Sequence, residues 1–553
     1  MYATLRDFIE ALDKAGELHR VSATVSPILE ISRITDRISK SPAPSVSDTA
    51  RRTDPRHAHL GGKALLFENV QGSATPVAIN VFGSYRRMEM ALGCNEGGFE
   101  ALADKIGALV RPGPPTGLIQ KMKKGLELAR IASFAPKLVR SGICQEVVKT
   151  GDEVNLFALP IIKCWPFDGD PRKVGYPVDP PPGGGDGRFI TFGGVYTIHP
   201  DDAGKPPGVP RPSRNVGMYR EQLIDRNHTA MHWHVHHDGA RHWRAWKRVG
   251  KPMPLAIVLG GESVLPYAAT APLPPGVSEL LMAGFLNNGG IELVPCKTPG
   301  LDMHVPANAE IVIEGYVSTE CGPVGYDPRD PQAPGLNPQA EVFEGPFGDH
   351  TGFYSMPDRY PIFEVTAITH RKDPIYPSTI VGPPPQEDYY MGKATERIFL
   401  PLLKTLIPDI IDYDLPMFGA FHNCAFVKIK KEYPLQARRV MHAIWGAGQM
   451  AWTKIIIVVD ERVNVHDQDE VLFHLCANFD PGRDVEIVSG PLDILDHAAP
   501  RLGAGHKIGF DATAKIPGEE VGGHPIRPWP PPQVMEEQIK ALVEKRWEEY
   551  GFK

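Results

Sequence analysis

Four apolar residues, Leu5, Phe8, Ile9 and Leu12, follow Thr4 at helical spacing and stop before Gly16. Side chains three and four apart share one helix face, so the chain is expected to open with a capped amphipathic helix. Residues 64–70 and 76–82 read as strands and complete a first α/β lobe, while the polar, proline-bearing stretch 41–62 reads as a surface loop. From about residue 147 to 369 the pattern changes to short β runs punctuated by glycine and proline: ITFGGVYTI, PLAIVLG, IELVPC, AEIVIEGYV and PIFEVTAITH. Regular short strands of this kind predict a closed or partly closed β barrel. After PPPQED comes a helix with the apolar stripe Ile398, Phe399, Leu402, Leu403 and Leu406, in which Pro401 is placed to make a kink. AFVKIKK, QARRVMHAIWG, KIIIVVD and DEVLFHLCANF then alternate strand and helix. The unbroken apolar strand among them predicts a parallel sheet covered on both faces. Ile539, Leu542, Val543 and Trp547 mark a final amphipathic helix.

The expected organisation is an α/β (α+β) chain in five parts: a lobe over 1–120, a barrel over 121–385, a linker helix over 386–412, an α/β domain over 413–525 and a terminal helix over 526–553. With 553 residues there is room for several cores. A net charge of −7 gives no support to nucleic-acid binding. The 56 prolines beside 55 glycines imply many ordered turns rather than long helices. Seven scattered cysteines without a CxxC pair argue for a reducing compartment and against a disulfide framework. The first residues, MYATLRDFIEALDKAG, carry charges throughout and do not resemble a secretion signal, and no apolar run reaches membrane-spanning length. A soluble, cytoplasmic protein is expected.

No GxGxxG follows a strand, and GxxxxGK[ST], GxSxG and HExxH are absent. The PPPGGGDG run, lacking a following helix, reads as a flexible loop. The most informative stretch is NVGMYREQLIDRNHTAMHWHVHHD, residues 215–238. On a strand, His232, His234 and His236 would share one face, a costly arrangement without a partner such as a metal. A second stretch, AEVFEGPFGDHTGFY, separates Glu344 from Asp349 by a Gly-Pro-Phe-Gly turn able to aim both carboxylates into one cavity. Singly, each residue keeps an ordinary reading. Glu279 can be a helix-start dipole contact, His236 a structural histidine, Arg220 a surface cation, and the two carboxylates solvated turn residues.

Together these blocks resemble the UbiD-type decarboxylases, which use prenylated FMN. The similarity rests on NVGMYRxQLI, MHWHVHHDGA, PLPPGVSELLMAGFL, EIVIEGY, EGPFGDHTGFY, an IPGE stretch and the N-terminal INVFGSYRRMEMALG, and spans nearly the whole chain. It implies a split β barrel holding the flavin and a C-terminal α/β domain for oligomerisation into a dimer or hexamer. Asn215, His236 and Glu279 would ligate a divalent ion, Mn2+ or another such as Mg2+ or Fe2+, with K+ close by. Met218, Tyr219, Arg220, His232, Trp233, His234, His237, Asp238 and Pro272 would contact the cofactor. Arg220, Glu344 and Asp349 would form the catalytic network, Asp349 giving the proton that replaces CO2 from a carboxyl whose pKa is raised by partial burial. Asp388, Tyr389, Tyr390 and Met391 would fall on the substrate pocket wall, and residues 321–342 look like an insertion near the site. The implied activity is reversible, non-oxidative decarboxylation of an aromatic acid or aromatic acyl-CoA, such as a hydroxybenzoate or phthaloyl-CoA, with a flavin prenyltransferase supplying the cofactor. A 4-hydroxy-3-polyprenylbenzoate decarboxylase of ubiquinone biosynthesis is the alternative within the family. A metal-dependent hydrolase and a non-catalytic flavin-binding module are the alternatives outside it.

Overall fold

In the computed structural model, Thr4 caps the first helix, α1 (Leu5–Lys14), by a reciprocal exchange. Its Oγ1 accepts from the Asp7 N–H at 3.1 Å and its own N–H donates to the Asp7 carboxylate at 3.0 Å. The structure describes residues 1–94, 97–110, 131–181, 183, 185–206, 209, 211–273, 276–298, 300–421, 423–521 and 523–552. The expected boundary at residue 120, and Pro182 and Gly184 of the Pro/Gly run, lie outside the described residues.

The apolar face of α1 packs on a four-stranded sheet of β1 (Leu18–Val25), β2 (Ala64–Val70), β3 (Val77–Ile79) and the late strand Tyr376–Ser378. Strand β3 is shorter than its sequence pattern suggests. Asn80 takes a φ of 60°, and the Glu387 carboxylate draws the Asn80 and Phe82 N–H groups out of the ladder at 3.0 and 2.9 Å. The stretch read as a surface loop, 41–62, contains a short helix, Asp48–Thr53, capped by Ser47 and burying Thr49, Ala50 and Thr53.

The central domain is a closed barrel. In order around it stand β8 (Ile311–Val317), β7 (Met253–Leu259), β4 (Phe189–Thr197), β5 (Asn215–Leu223), β6 (His228–His232) and β10 (Asp358–His370), all pairs antiparallel, with β10 pairing back to β8. The short β9 (Glu341–Glu344) adds to the far end of β10. Ile257, Ile313 and Ile368 lie in register across β7, β8 and β10 and fill one core, while Ala256, Val258 and Val312 face the core shared with α1. Both faces are thus buried, which explains runs such as PLAIVLG that do not alternate. The run IELVPC is not a barrel strand. Residues Glu292–Pro295 pair with His304–Pro306 and Lys137–Leu138 in a separate small sheet.

The linker is two helices, α4 (Glu387–Ile398) and α5 (Leu400–Leu406), broken at Phe399 with Pro401 in the first turn of the second. The helices α2 (Asp238–Val249) and α3 (Glu279–Leu286) belong to the barrel domain. Leu406, expected in the buried stripe, is 64% exposed; the buried face of α4 carries Tyr389, Tyr390, Met391, Ala394 and Ile398. The C-terminal sheet runs in the order β11 (Ile410–Asp414), β12 (Cys424–Ile429), β13 (Ile455–Asp460), β15 (Ala504–Asp511), β14 (Val485–Pro491). Its three central strands are parallel and both edge strands antiparallel, with α6 (Gln436–Trp445) on one face and α7 (Gln468–Asn478) on the other. A buried ion network ties α4 to this domain. Lys393 binds Glu396 at 2.8 Å and Asp414 at 2.5 Å, and His466 bridges Asp412 and Asp414 at 3.1 Å each. Lys393 and Arg397 supply this carboxylate cluster with its positive charge. The terminal helix α8 (Glu537–Lys545) leaves Ile539, Leu542 and Val543 exposed, and Trp547 beyond it likewise. All seven cysteines are unpaired thiols, and no helix among the described residues is long and apolar enough to cross a membrane.

Candidate active site

The antiparallel pairing of β5 and β6 sets Arg220 opposite His232, and the end of β9 brings Glu344 to both. Arg220 grips Glu344 with two nitrogens, Nη2 to Oε2 at 3.0 Å and Nε to Oε1 at 3.3 Å. Its Nη1 donates to Asp349 Oδ2 at 3.0 Å, Nη2 also donates to Ser355 Oγ at 2.8 Å, and the guanidinium lies 4.6 Å from the Phe347 ring centre. His232 Nδ1 meets Glu344 Oε2 at 2.8 Å. Arg220, Glu344, Asp349 and His232 are all buried. The structure therefore brings Arg220, Glu344 and Asp349 into one cluster.

The turn between the two acids is held from behind. Gly345 N–H donates to Gln222 Oε1 and Gly348 N–H to Asp168 Oδ1, both at 2.8 Å. A Cβ on Gly345 would stand 2.3 Å from the Gly169 backbone, and one on Gly348 2.1 Å from the Trp165 ring, so the glycines are required by close approach. Burial pulls the Glu344 carboxyl upward, but Arg220 and His232 outweigh it and hold it at about 2. Asp349 does not have the raised pKa that the sequence reading asked of it. Burial pulls the same way there, yet His350 and Arg220 hold it at about 2. Burial, followed by Arg220, lowers the pKa of the His232 imidazole.

The histidine segment departs from the expected strand. The ladder ends at His232, the chain turns, and α2 begins at Asp238, so His232, His234 and His236 do not share a sheet face. The clustered imidazoles are instead His232, His234 and His237: rings 232 and 234 are 5.3 Å apart, and 234 stacks on 237 at 4.8 Å. His236 is exposed and faces Trp452 at 5.7 Å. Asn215, the first residue of β5, is buried beside Glu279, whose Oε2 accepts the Val216 N–H at 2.9 Å. Tyr219 packs against His237 and Trp233 and accepts from the Gly239 N–H at 3.3 Å. Met218 is half-buried on the same strand, Asp238 pairs with Arg241 at 2.9 Å, and Pro272 is half-buried ahead of α3.

Of the four expected pocket residues, three point elsewhere. Tyr389 donates its hydroxyl to Asp54 at 2.6 Å, Tyr390 lies edge-on to Tyr85 at 5.5 Å, and Met391 sits in the same core. On α4 it is Asp388 that turns toward Asp349. Asp388 acts electrostatically on His350, and a Cβ on Gly392 would stand 2.7 Å from Phe421. Sequence reasoning missed His350, Ser355, Phe347, Gln222 and Asp168, although all but Asp168 stand inside or next to the two quoted motifs. The insertion is pinned to the barrel. Asp358 accepts from the Gly325 and Tyr326 N–H groups at 2.6 and 2.9 Å, and Glu341 from Gly322 and Asn337 at 2.7 and 2.9 Å.

Profiles of the 3-octaprenyl-4-hydroxybenzoate carboxy-lyase match in chain order: its N-terminal domain over residues 9–106, its Rift-related domain over 137–384 and its C-terminal domain over 389–512. The chain belongs to the UbiD family. As a UbiD member it is a carboxy-lyase. A relative in Aquifex aeolicus is 44% identical over 551 residues, covering 100% of this chain and 99% of its own. Another in Archaeoglobus fulgidus is 41% identical over 550 residues, covering 99% and 98%. The UbiD fold is shared with vanillic acid decarboxylase of Sedimentibacter hydroxybenzoicus in closed form, at a TM-score of 0.72 and 24% identity over 99% of both chains. A UbiD-class enzyme of Pelotomaculum thermopropionicum in complex with prFMN superposes with a TM-score of 0.67 at 25% identity, over 93% of this chain and 95% of that one.

One further carboxylate in the barrel yields a test of the fold itself. Glu221 is fully buried, neither oxygen has a hydrogen-bond partner among the described residues, and burial followed by Glu344 raises its pKa well above the ordinary 4.5. A raised carboxyl contributes stability that is complete below 4.5 and is lost as pH climbs through the folded value. Glu221→Gln is therefore expected to melt with the parent near pH 4 and above it at neutral pH, a gap that thermal melts across pH will read.

Proposed function

We propose that this chain is a prenylated-FMN-dependent decarboxylase of an aromatic carboxylic acid or aromatic acyl-CoA. One observation carries the reading: a buried arginine on a barrel strand holds two carboxylates at once, which fixes its guanidinium in one orientation facing both acids. The chain's own polar atoms fit a flavin phosphate and its cation. Among the described residues His232 Nε2 and Asn215 Nδ2 are buried with no hydrogen-bond partner, a state that native proteins rarely keep without a ligand or water. Met218, Tyr219, Arg220, His232, Trp233, His234, His237, Asp238 and Pro272 would hold the flavin. Asn215, His236 and Glu279 offer two hard oxygens and one imidazole, a set suited to Mn2+, Mg2+ or Fe2+, with K+ beside it. When bound, the cofactor supplies an electrophilic centre that accepts the electron pair released with CO2.

Arg220 orients the substrate carboxylate and keeps Glu344 ionised, and Asp349 passes a proton to the carbon that has lost CO2. Because each step is reversible, high CO2 would drive carboxylation. Hydroxybenzoates and phthaloyl-CoA are the leading substrate classes, with a polyprenylated hydroxybenzoate as the alternative. A flavin prenyltransferase would supply the cofactor, and the C-terminal domain with α8 would build a homodimer or homohexamer.

The test is co-expression with a flavin prenyltransferase, a visible spectrum, and a screen of aromatic acids for CO2 release. Turnover with metal alone and no flavin absorbance would establish a hydrolase instead. Flavin uptake with no CO2 from any acid would establish a binding module. Glu279→Ala is expected to purify with about tenfold less flavin per chain or lower, read from visible absorbance, as metal sites lose affinity on that scale even when only a supporting group is removed.

A further inference from the structure

Asp349 is placed awkwardly for a simple proton donor. Its Oδ2 faces Arg220 at 3.0 Å, while its Oδ1 meets His350 Nδ1 at 3.0 Å and accepts the His350 backbone N–H at 2.9 Å. Arg220 therefore occupies one oxygen and His350 the other, and both partners favour the ionised acid. His350 is itself largely buried, its side chain 13% exposed. Around its ring stand Asp349 on the motif turn, Asp388 on α4 and Asp493 beyond β14. His234, past the end of β6, and Phe421, edge-on at 5.3 Å, complete the surroundings.

We infer that His350 is the positioning residue and proton reservoir for Asp349, holding at Nδ1 the proton that Asp349 delivers to the carbon losing CO2. The inference rests on the decarboxylase reading and deepens it. The Nδ1–H bond breaks as an O–H bond forms on Asp349, and that bond breaks in turn as a C–H bond forms with the electron pair that CO2 leaves behind. One proton has then passed from imidazolium to product, Asp349 is again a carboxylate, and a solvent proton restores the imidazolium on its Asp388 side. The charge states agree with this order. Burial works against the imidazolium, but Asp349, Asp493 and Asp388 outweigh it and raise the ring to about 9, while Asp349 stays at about 2. At neutral pH the proton resides on the ring and hardly ever on the acid. Holding it 3.0 Å away lets the acid act at a pH where it is not itself protonated.

The experiment has one arm without flavin and one with it. In the chain alone, labelled at histidine Cε1 with 13C, the resonance missing from His350→Asn identifies His350. Its midpoint is expected near 9 and should fall to the ordinary imidazole range in Asp349→Asn; a midpoint at or below the ordinary 6.5 in the parent overturns the inference whether or not the chain releases CO2. In the loaded enzyme, His350→Asn and His350→Gln should keep the parent's flavin spectrum and a KM within about threefold. Their kcat at neutral pH should fall by about a hundredfold, with partial recovery in acid, because the alkaline limb moves down as the carboxyl must carry the proton alone. A parent-like pH profile in either variant overturns the relay. Should both fail to fold, Asp388→Asn decides. Removing that charge must shift the alkaline limb down, and an unmoved limb overturns the inference. A ring that titrates near 9 in a chain that decarboxylates no aromatic acid overturns the function reading and the proton's destination, leaving the ion pair standing.

Discussion

Replacing Arg220 by alanine is expected to abolish CO2 release and to lower the melting temperature most at neutral pH. The guanidinium is the counter-charge for Glu344 and, with His350, for Asp349, so its removal leaves buried carboxylates without an adequate partner. Breaking a buried pair from one side costs about 3–5 kcal/mol, far more than the pair's net worth against an apolar replacement. The pH dependence follows from the sign of the shift. Glu344 lies at about 2 in the fold against an ordinary 4.5, so its contribution is complete above 4.5 and is lost as pH falls toward 2. Melts of parent and Arg220→Ala should accordingly differ widely at pH 7, draw together below pH 4.5 and converge only near pH 2. Arg220→Lys separates charge from shape. It restores a cation, and with it part of the melting temperature, but one ammonium cannot span both Glu344 oxygens, Asp349 and Ser355. Activity should stay about a hundredfold or more below the parent. An Arg220→Lys enzyme with parental turnover would show that the bidentate geometry is irrelevant.

Asp349→Asn is expected to bind flavin normally and to lose nearly all product formation, together with exchange of the product's proton for solvent deuterium. The amide fills the same space between Arg220 and His350, but it cannot take a proton from one and give it to the substrate carbon. General acids of this kind are worth about 10²–10⁴ in rate, so the residual turnover should be small but measurable. Unaltered visible absorbance with turnover near the parent's would remove Asp349 from the proton path.

The cluster of Arg220, Glu344 and Asp349 is readable because its parts are local. Glu344 and Asp349 flank a turn whose glycines are demanded by close backbone and ring contacts, and Arg220 stands on a strand with a distinctive sequence. What the sequence hid depends on partners far along the chain. Period-two alternation through His236 looked like a strand because nothing in those residues announces that α2 begins at Asp238 and takes the chain off the sheet. IELVPC has the composition of a barrel strand, and only its distant partners, Lys137–Leu138 and His304–Pro306, remove it from the barrel. Tyr389 and Tyr390 were assigned to the pocket by position, whereas Asp54 and Tyr85 of the first lobe draw them into the core. Burial alone would raise the Asp349 carboxyl; His350, whose basicity in turn depends on Asp388 and Asp493, and Arg220 reverse the direction.

The strand β10 pairs with β6, β8 and β9, and only its pairing to β8 closes the barrel; six residues later Tyr376–Ser378 completes the sheet of the first lobe. During synthesis from the N-terminus, the barrel cannot close until the ribosome has passed residue 370, nor the first sheet until it has passed residue 378. Until then β6 and β8 present raw edges, the kind that recruit other chains. Slow translation just upstream of this point, or a truncation there, would therefore favour aggregation over folding, and nascent-chain survival would hinge on the segment that seals both sheets.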